Sequence, residues 1–312
     1  MIAVRPILSG RARRGKPAPR AVAGGRTRRW WLLLCPLLAS CQPDDTVPPG
    51  ARVHPTIVSL NPCGDAILAD VTAPGQLLAV SHYSHDPGSS SMGVDKARAY
   101  RSVSGSVEEI AALAPDVVVA DVFLPPNTRQ GLQDLGIRVV FLGTTDSIAT
   151  SLTQVRELSA KVGRAGAGER LVSRIETALA KAAPPPGTAA IPAIMWEPGG
   201  IVAGDRTLIA DILRRTGFAN AAAARGLGQA DYLPLEVMLA HPPRVILSAS
   251  GSPSDEDRLL SHPALGAMSG VRTARFPNAL LWCGGPTIIR AAQRLAEVRH
   301  GLGHDPIRAT GM

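Results

Sequence analysis

The sequence predicts an α/β fold arranged as two lobes joined by a single long helix. Three observations carry this. β-rich runs alternate with helical stretches in both halves of the chain, the stretch from Ser147 to about Ala183 is helical with no strand in it, and one helix–strand unit occurs twice. The repeated unit reads VSGSVEEIAALAPDVVVA from Val103 to Ala120 and DYLPLEVMLAHPPRVILSA from Asp231 to Ala249. In each copy an acid lies near the start of a short apolar helix, a proline ends it and a β-rich run follows.

The chain opens on a basic leader. Residues 1–40 hold nine basic residues and no acid, so the formal charge of +8 falls to −1 (24 basic against 25 acidic) once they are set aside. The basicity therefore belongs to the leader, and a nucleic-acid partner is excluded. The apolar run Trp30–Leu38 is too short to cross a bilayer and reads as a secretory signal over residues 1–40. Leu38-Ala39-Ser40-Cys41 resembles a bacterial lipobox, which makes Cys41 the candidate lipidation site and residues 41–51 a tether. The expected location is periplasmic, with a lipid anchor on a bacterial membrane.

The first lobe is expected over residues 52–146. Its strand candidates are Thr56–Leu60, Leu77–Tyr83, Asp116–Ala120 and Ile137–Gly143, with helices over Cys63–Val71 and near Asn127–Gly136. Within residues 147–183, Leu152, Val155 and Leu158 share one face and Leu171, Ile175 and Leu179 another, and the prolines at 184–186 end the helix. The second lobe, residues 184–312, offers strands at Ala189–Trp196, Arg244–Ala249 and Asn278–Trp282 and helices at Asp205–Gly217 and Pro286–Gly301. Asn220–Asp231 and Ser250–Arg258 read as loops, the former mobile.

The repeated unit singles out two acids. Ser106-Val-Glu-Glu fits a capping box with Ser106 as N-cap and Glu109 reaching back to a backbone donor, after which Val107, Ile110, Ala111 and Ala114 form a buried stripe. Glu109 is thereby explained and Glu108 is not. Pro234 suits an early helical position, and Glu236 occupies the place of Glu108.

From Arg52 to about His300 the chain resembles the substrate-binding proteins of bacterial ABC importers for iron–siderophores, haem and vitamin B12. The residues that carry the resemblance are RVHPTIVSLNPCGDAIL, LLAVSHYSHDP, VEEIAALAPDVVVA, LGIRVVFLG, LEVMLAHPPRVIL, HPALGAMSGVRTARF and GGPTIIRAAQRLAE. It implies two Rossmann-like lobes on one long helix, a metal-chelate ligand held between them, no intrinsic cofactor, no catalysed reaction and action as a monomer. It also implies that Glu108 and Glu236, one per lobe, dock onto arginines of the membrane permease, as charge pairs at an interface rim can steer and register partners.

In open α/β sheets ligands bind beyond the carboxyl ends of the strands. The loops expected there supply Cys63, His82, Tyr83, His85, Phe123, Trp196, Tyr232, Trp282 and Cys283 as the candidate cleft, rich in aromatics suited to a large flat ligand. The resemblance matches Tyr83 to a ligand-contacting Tyr of the B12-binding member and sets Trp196 close to an aromatic contact there. Cys63 and Cys283 leave three readings open: a disulfide in an oxidising compartment, contact with a metal-centred ligand, or two small buried apolar residues. Two rival functions follow: binding of a bare transition metal by Cys63, Cys283 and His82, or an exported α/β enzyme or sensor domain. No nucleophile or metalloprotease motif supports catalysis.

Overall fold

The computed structural model describes residues 53–250 and 262–303. The signal, Cys41, the tether and most of the Ser250–Arg258 loop lie outside the described residues.

The first sheet grows from strands buried on both faces. β1 (Ile57–Ser59), α1 (Pro62–Val71), β2 (Leu77–Ser81), a 3-10 turn (His82–His85), α2 (Val94–Ala97) and β3 (Arg101–Val103) come first. α3 (Val107–Ala111), β4 (Val117–Asp121), α4 (Pro126–Asp134) and β5 (Arg138–Leu142) complete it. Its five strands run in the order β3-β2-β1-β4-β5, all parallel. The connections leave β1 and β4 in opposite directions, so a crevice opens beyond their carboxyl ends.

The linking segment is two helices and not one: α5 (Ile148–Lys161) and α6 (Ala165–Ala182). The reason is a glycine cap within the Gly/Ala-rich stretch. Gly163 is left-handed at φ 74, its N–H bonds Ala160 O at 3.0 Å and the Arg164 N–H bonds Ser159 O at 2.6 Å. That is a Schellman ending, which stops a helix that propensity alone would continue. The two helices then cross closely, since a Cβ on Gly168 would lie 2.5 Å from Ser159 Cβ.

The second lobe comprises β6 (Ile191–Glu197), β7 (Ile201–Ala203), α7 (Leu208–Arg215), β8 (Phe218–Asn220), β9 (Ala230–Tyr232) and α8 (Leu235–Ala240), then β10 (Val245–Ser250), α9 (Pro263–Gly266), β11 (Arg272–Pro277) and α10 (Thr287–Gly303). The strand order is β11-β10-β6-β7-β9, with β8 also on β6. β7 is antiparallel to β6 and β9, while β8, β10 and β11 run parallel to their partners. Asn278–Trp282, expected as a strand, begins as a 3-10 turn, and the edge strand is β11 immediately before it. The expected mobile loop Asn220–Asp231 carries a 3-10 turn and the start of β9.

Alternation along the strands sorts the core into layers. Ile57, Val117, Val119, Ala193, Met195, Val245 and Leu247 face one interior shared by both lobes, filled by α1, α5, α6, α7 and α10. Val58 and Val118 face an outer core with Ile110 and Leu132. Ile194, Trp196 and Ile246 face a second outer core with Leu235 and Met238. Short polar ties stitch the shared layer: Ile148 N–H to Asp211 Oδ2 at 2.9 Å, Gly285 N–H to Ser151 Oγ at 2.8 Å and Arg299 Nη1 to Ala182 O at 2.7 Å.

The α5–α6 crossing sets a test. Gly168→Ala places a methyl against Ser159 and is expected to cost about 1–3 kcal/mol in denaturant unfolding. Gly301→Ala, where an added Cβ meets nothing within 4 Å, is expected to leave stability unchanged or slightly raised.

Candidate functional site

Between the lobes, at the carboxyl ends of β4, β5 and β6, lies a cavity of about 590 Å³, within the size range of small-molecule sites. The first lobe contributes Asn61, Cys63, Asp121, Phe123, Thr144, Thr145 and Asp146, α5 contributes Gln154, and the second lobe contributes Glu197, Arg206, Gln229, Leu281 and Trp282.

Each side chain is set there by local structure. Asn61 caps α1, accepting the N–H groups of Cys63 and Gly64 at 2.9 and 3.0 Å. Asp121 ends β4 and takes the Phe123 N–H on Oδ1 at 2.7 Å. That turn leaves the Phe123 ring 78 % exposed at the mouth. Trp282 faces the cavity from the other lobe at 59 % exposure. Two such rings on one cavity give it an apolar, aromatic lining from both lobes.

Behind Trp282, Cys63 and Cys283 form a disulfide linking the first lobe to the second across 220 residues. The Ser91 hydroxyl donates to Cys283 Sγ at 2.8 Å, and Thr287 and Arg290 hold the Ser91 carbonyl, so the whole contact is tied down. Of the three readings of these cysteines the structure takes the disulfide. In that form the two sulfurs are not thiolates, so they cannot serve as the ligands that the bare-metal reading gave them. Among the described residues no group of three or more His, Cys, Asp or Glu is arranged around a common point.

The expected cleft residues separate into two groups. Cys63, Phe123 and Trp282 line the cavity, while Cys283 is buried beneath it. His82, Tyr83, His85 and Tyr232 are not among its lining residues. His82 and Tyr83 stack with ring centroids 4.0 Å apart on the turn after β2, and His85 Nε2 pairs with Ala97 O at 3.1 Å. Asp65 anchors that turn through the Ser81 N–H at 3.0 Å and the Ser84 hydroxyl at 2.6 Å. Burial raises the Asp65 carboxyl to about 7 against the pull of its Ser59, Ser84 and Ser81 hydrogen bonds. Tyr232 is 63 % exposed and lies over Gly200.

Trp196 is a correction: it is fully buried in the outer core and not in the cleft. The aromatic reading was one residue out, because neighbours on a strand face opposite ways. The next residue, Glu197, lines the cavity, only 5 % exposed. Its carboxyl is raised to about 7 by desolvation alone. Asp121, Asp146, Glu197 and Arg206 were not anticipated. Their signal lay in the rule that strands end at the site, which marks Asp121 and Glu197 as the last residues of β4 and β6.

The two paired acids sit alike. Glu108 and Glu236 are exposed second residues of α3 and α8, the helices that lead into β4 and β10. Ser106 caps α3 by accepting the Glu109 N–H at 3.2 Å. Glu109 reaches Ser104 N and Oγ at 2.7 and 2.8 Å, however, and not the Ser106 backbone. The buried stripe of α3 shortens to Ile110, because the helix ends at Ala111 and Ala114 is left-handed at φ 44 before Pro115. Pro234 is the N-cap of α8, with φ −59 and ψ 142.

Residues 57–276 match the periplasmic binding protein family, and the chain belongs to it. Its fold is that of solved periplasmic binders. The haem-binding protein RhuT from Roseiflexus sp. RS-1 superposes with a TM-score of 0.65 at 22 % identity, covering 79 % of this chain and 98 % of that one. Haem-binding HutB of Vibrio cholerae gives 0.64 at 19 %, covering 78 % and 98 %. Vitamin B12-binding BtuF of Vibrio cholerae gives 0.59 at 17 %, covering 81 % and 99 %. No curated protein sequence matches the chain. It is therefore a substrate-binding protein of the periplasmic type, not an enzyme, and no intrinsic cofactor is indicated. Among the described residues no helix is long and apolar enough to cross a membrane.

The disulfide generates a prediction. Reducing it, or replacing both cysteines by serine, is expected to lower unfolding stability by about 2–5 kcal/mol, because it closes so long a loop. Identical denaturation midpoints with and without reductant would show that the lobes do not depend on it.

Proposed function

We propose that this protein captures a metal chelate between its lobes and delivers it to an ABC importer permease. The observation that carries the proposal is the pairing of exposed Phe123 and Trp282 from opposite lobes on one cavity. Two open rings facing a cleft of this volume suit a broad, flat, partly apolar cargo. Solved neighbours of the same fold are described as binding haem or vitamin B12, which is the same class of cargo. The interior shared by the two lobes, together with the disulfide, favours a small hinge motion over wide opening.

Glu108 and Glu236 are the proposed permease contacts. Their equivalent places on the two lobes support this, as does the absence of any intramolecular ion pair on either among the described residues. Reversing both charges, Glu108→Lys with Glu236→Lys, is expected to leave chelate affinity unchanged and to reduce cellular uptake at least tenfold. Normal uptake by that variant removes the docking role.

Cys41 is the proposed lipid attachment site, holding the lobes near the permease through residues 41–51. Cys41→Ser is expected to move the protein from the membrane fraction to the soluble periplasmic fraction. An unchanged distribution would remove the anchor and leave the binding role standing.

A further inference from the structure

We infer that Glu197 is the acceptor that selects the cargo of this cleft, and that the cargo is an uncharged or cationic chelate bearing N–H donors at its edge, not one bearing free carboxylates. This rests on the chelate reading above and goes beyond it, naming the class of chelate and the residue that chooses it.

The first ground is an incomplete site. Glu197 is the last residue of β6, lines the cavity and is 5 % exposed. Among the described residues no N–H, hydroxyl or cation reaches its carboxyl, and burial is the sole cause that moves its titration. Its oxygens keep contact with water through the open cleft, and that water is what hydrates a carboxyl without a donor. A cargo that closes the cleft removes the remaining water, so it must itself bring the donor.

The second ground is the charge of the walls. The charged residues lining the cavity are Asp121, Asp146, Glu197 and Arg206, with no lysine or histidine among them. The first two are already engaged locally, Asp121 with the Phe123 N–H and Asp146 with the Thr150 hydroxyl at 3.1 Å. Both still present negative charge to a ligand. One guanidinium against three carboxyl groups is a poor cradle for a chelate with free carboxylates, and a favourable one for a neutral or positive chelate whose edge carries amides. Asn61, Thr144, Thr145, Gln154 and Gln229 add neutral polar groups to a wall that is otherwise largely apolar.

The pH dependence separates the two charge classes. Desolvation raises the Glu197 carboxyl to about 7, so its titration falls in the neutral range. A donor-bearing cargo favours the ionised form, and its binding strengthens as pH rises from 6 to 8. A carboxylate-bearing cargo favours the protonated form, and its binding weakens over that interval.

The experiment is calorimetric titration of the full mature protein at pH 6, 7 and 8 with two carboxylate-free chelates, cyanocobalamin and ferrioxamine B, and two carboxylate-bearing ones, haemin and ferric citrate. The expected result is binding of a carboxylate-free chelate that tightens with pH. In Glu197→Gln that affinity falls roughly ten- to hundredfold, the loss of a charge-assisted hydrogen bond, and the pH dependence disappears. Circular dichroism of the variant shows whether the fold is kept, and Glu197→Asp is expected to restore part of the affinity and the pH slope. Tighter binding of haemin or ferric citrate, or an affinity unmoved by Glu197→Gln, overturns the inference while leaving the chelate reading intact. Failure of all four to bind overturns both.

Discussion

Alternation along β6 places Glu197, and not Trp196, in the cleft, and the chemistry of the site depends on that one-residue choice. Ala193 and Met195 turn to the interior shared by the lobes, while Ile194 and Trp196 turn to the outer core. The strand then ends, and its last inward position opens into the cavity. With Trp196 turned inward, the cleft would be a third aromatic wall without an acceptor. With Glu197 there, a carboxyl without a partner among the described residues joins Phe123 and Trp282 in lining the cavity. The same period on β1 and β4 sends Ile57, Val117 and Val119 to the shared interior and Val58 and Val118 outward. Both sheets are therefore covered on two faces, and only strand ends are left for recognition.

The shared interior also explains how a two-lobed clamp stays shaped without ligand. α5, α6 and α10 belong to neither sheet alone, and the disulfide spans the lobes beside Trp282. On the proposed reading, presenting Phe123 and Trp282 on one cavity before the cargo arrives removes part of the ordering cost of binding. On the proposed reading the hinge is limited, and specificity then comes from the fit and polarity of the walls, not from a large closure.

Much of the architecture was legible in the sequence because the determinants are local. β-branched runs such as DVVVA and RVILSA become β4 and β10 within a residue. The amphipathic periods of residues 147–183 become helices that bury Val155, Leu158, Leu171, Ile175 and Leu179. The break at Gly163 was missed because a Schellman turn inside an Ala-rich stretch costs a helical pattern nothing visible. The site was legible only in outline. Phe123 and Trp282 stood out as rare aromatics on loops, but His82, Tyr83, His85 and Tyr232 carry the same signal and do not line the cavity. Glu197 and Asp121 look like ordinary acids in the sequence. What distinguishes them is a strand's final residue and its facing, which is a tertiary fact. The disulfide was one of three readings, and only the meeting of Cys63 and Cys283 across the lobes decides among them.

The claim on which the functional account turns is that the cleft holds one metal chelate. It is tested most directly by the mass, absorption spectrum and metal content of the small molecule that co-purifies with the mature protein from the periplasm of its native host. The account predicts one coloured, metal-bearing chelate per chain, released on unfolding. A metal-free solute bound at the same stoichiometry would contradict it.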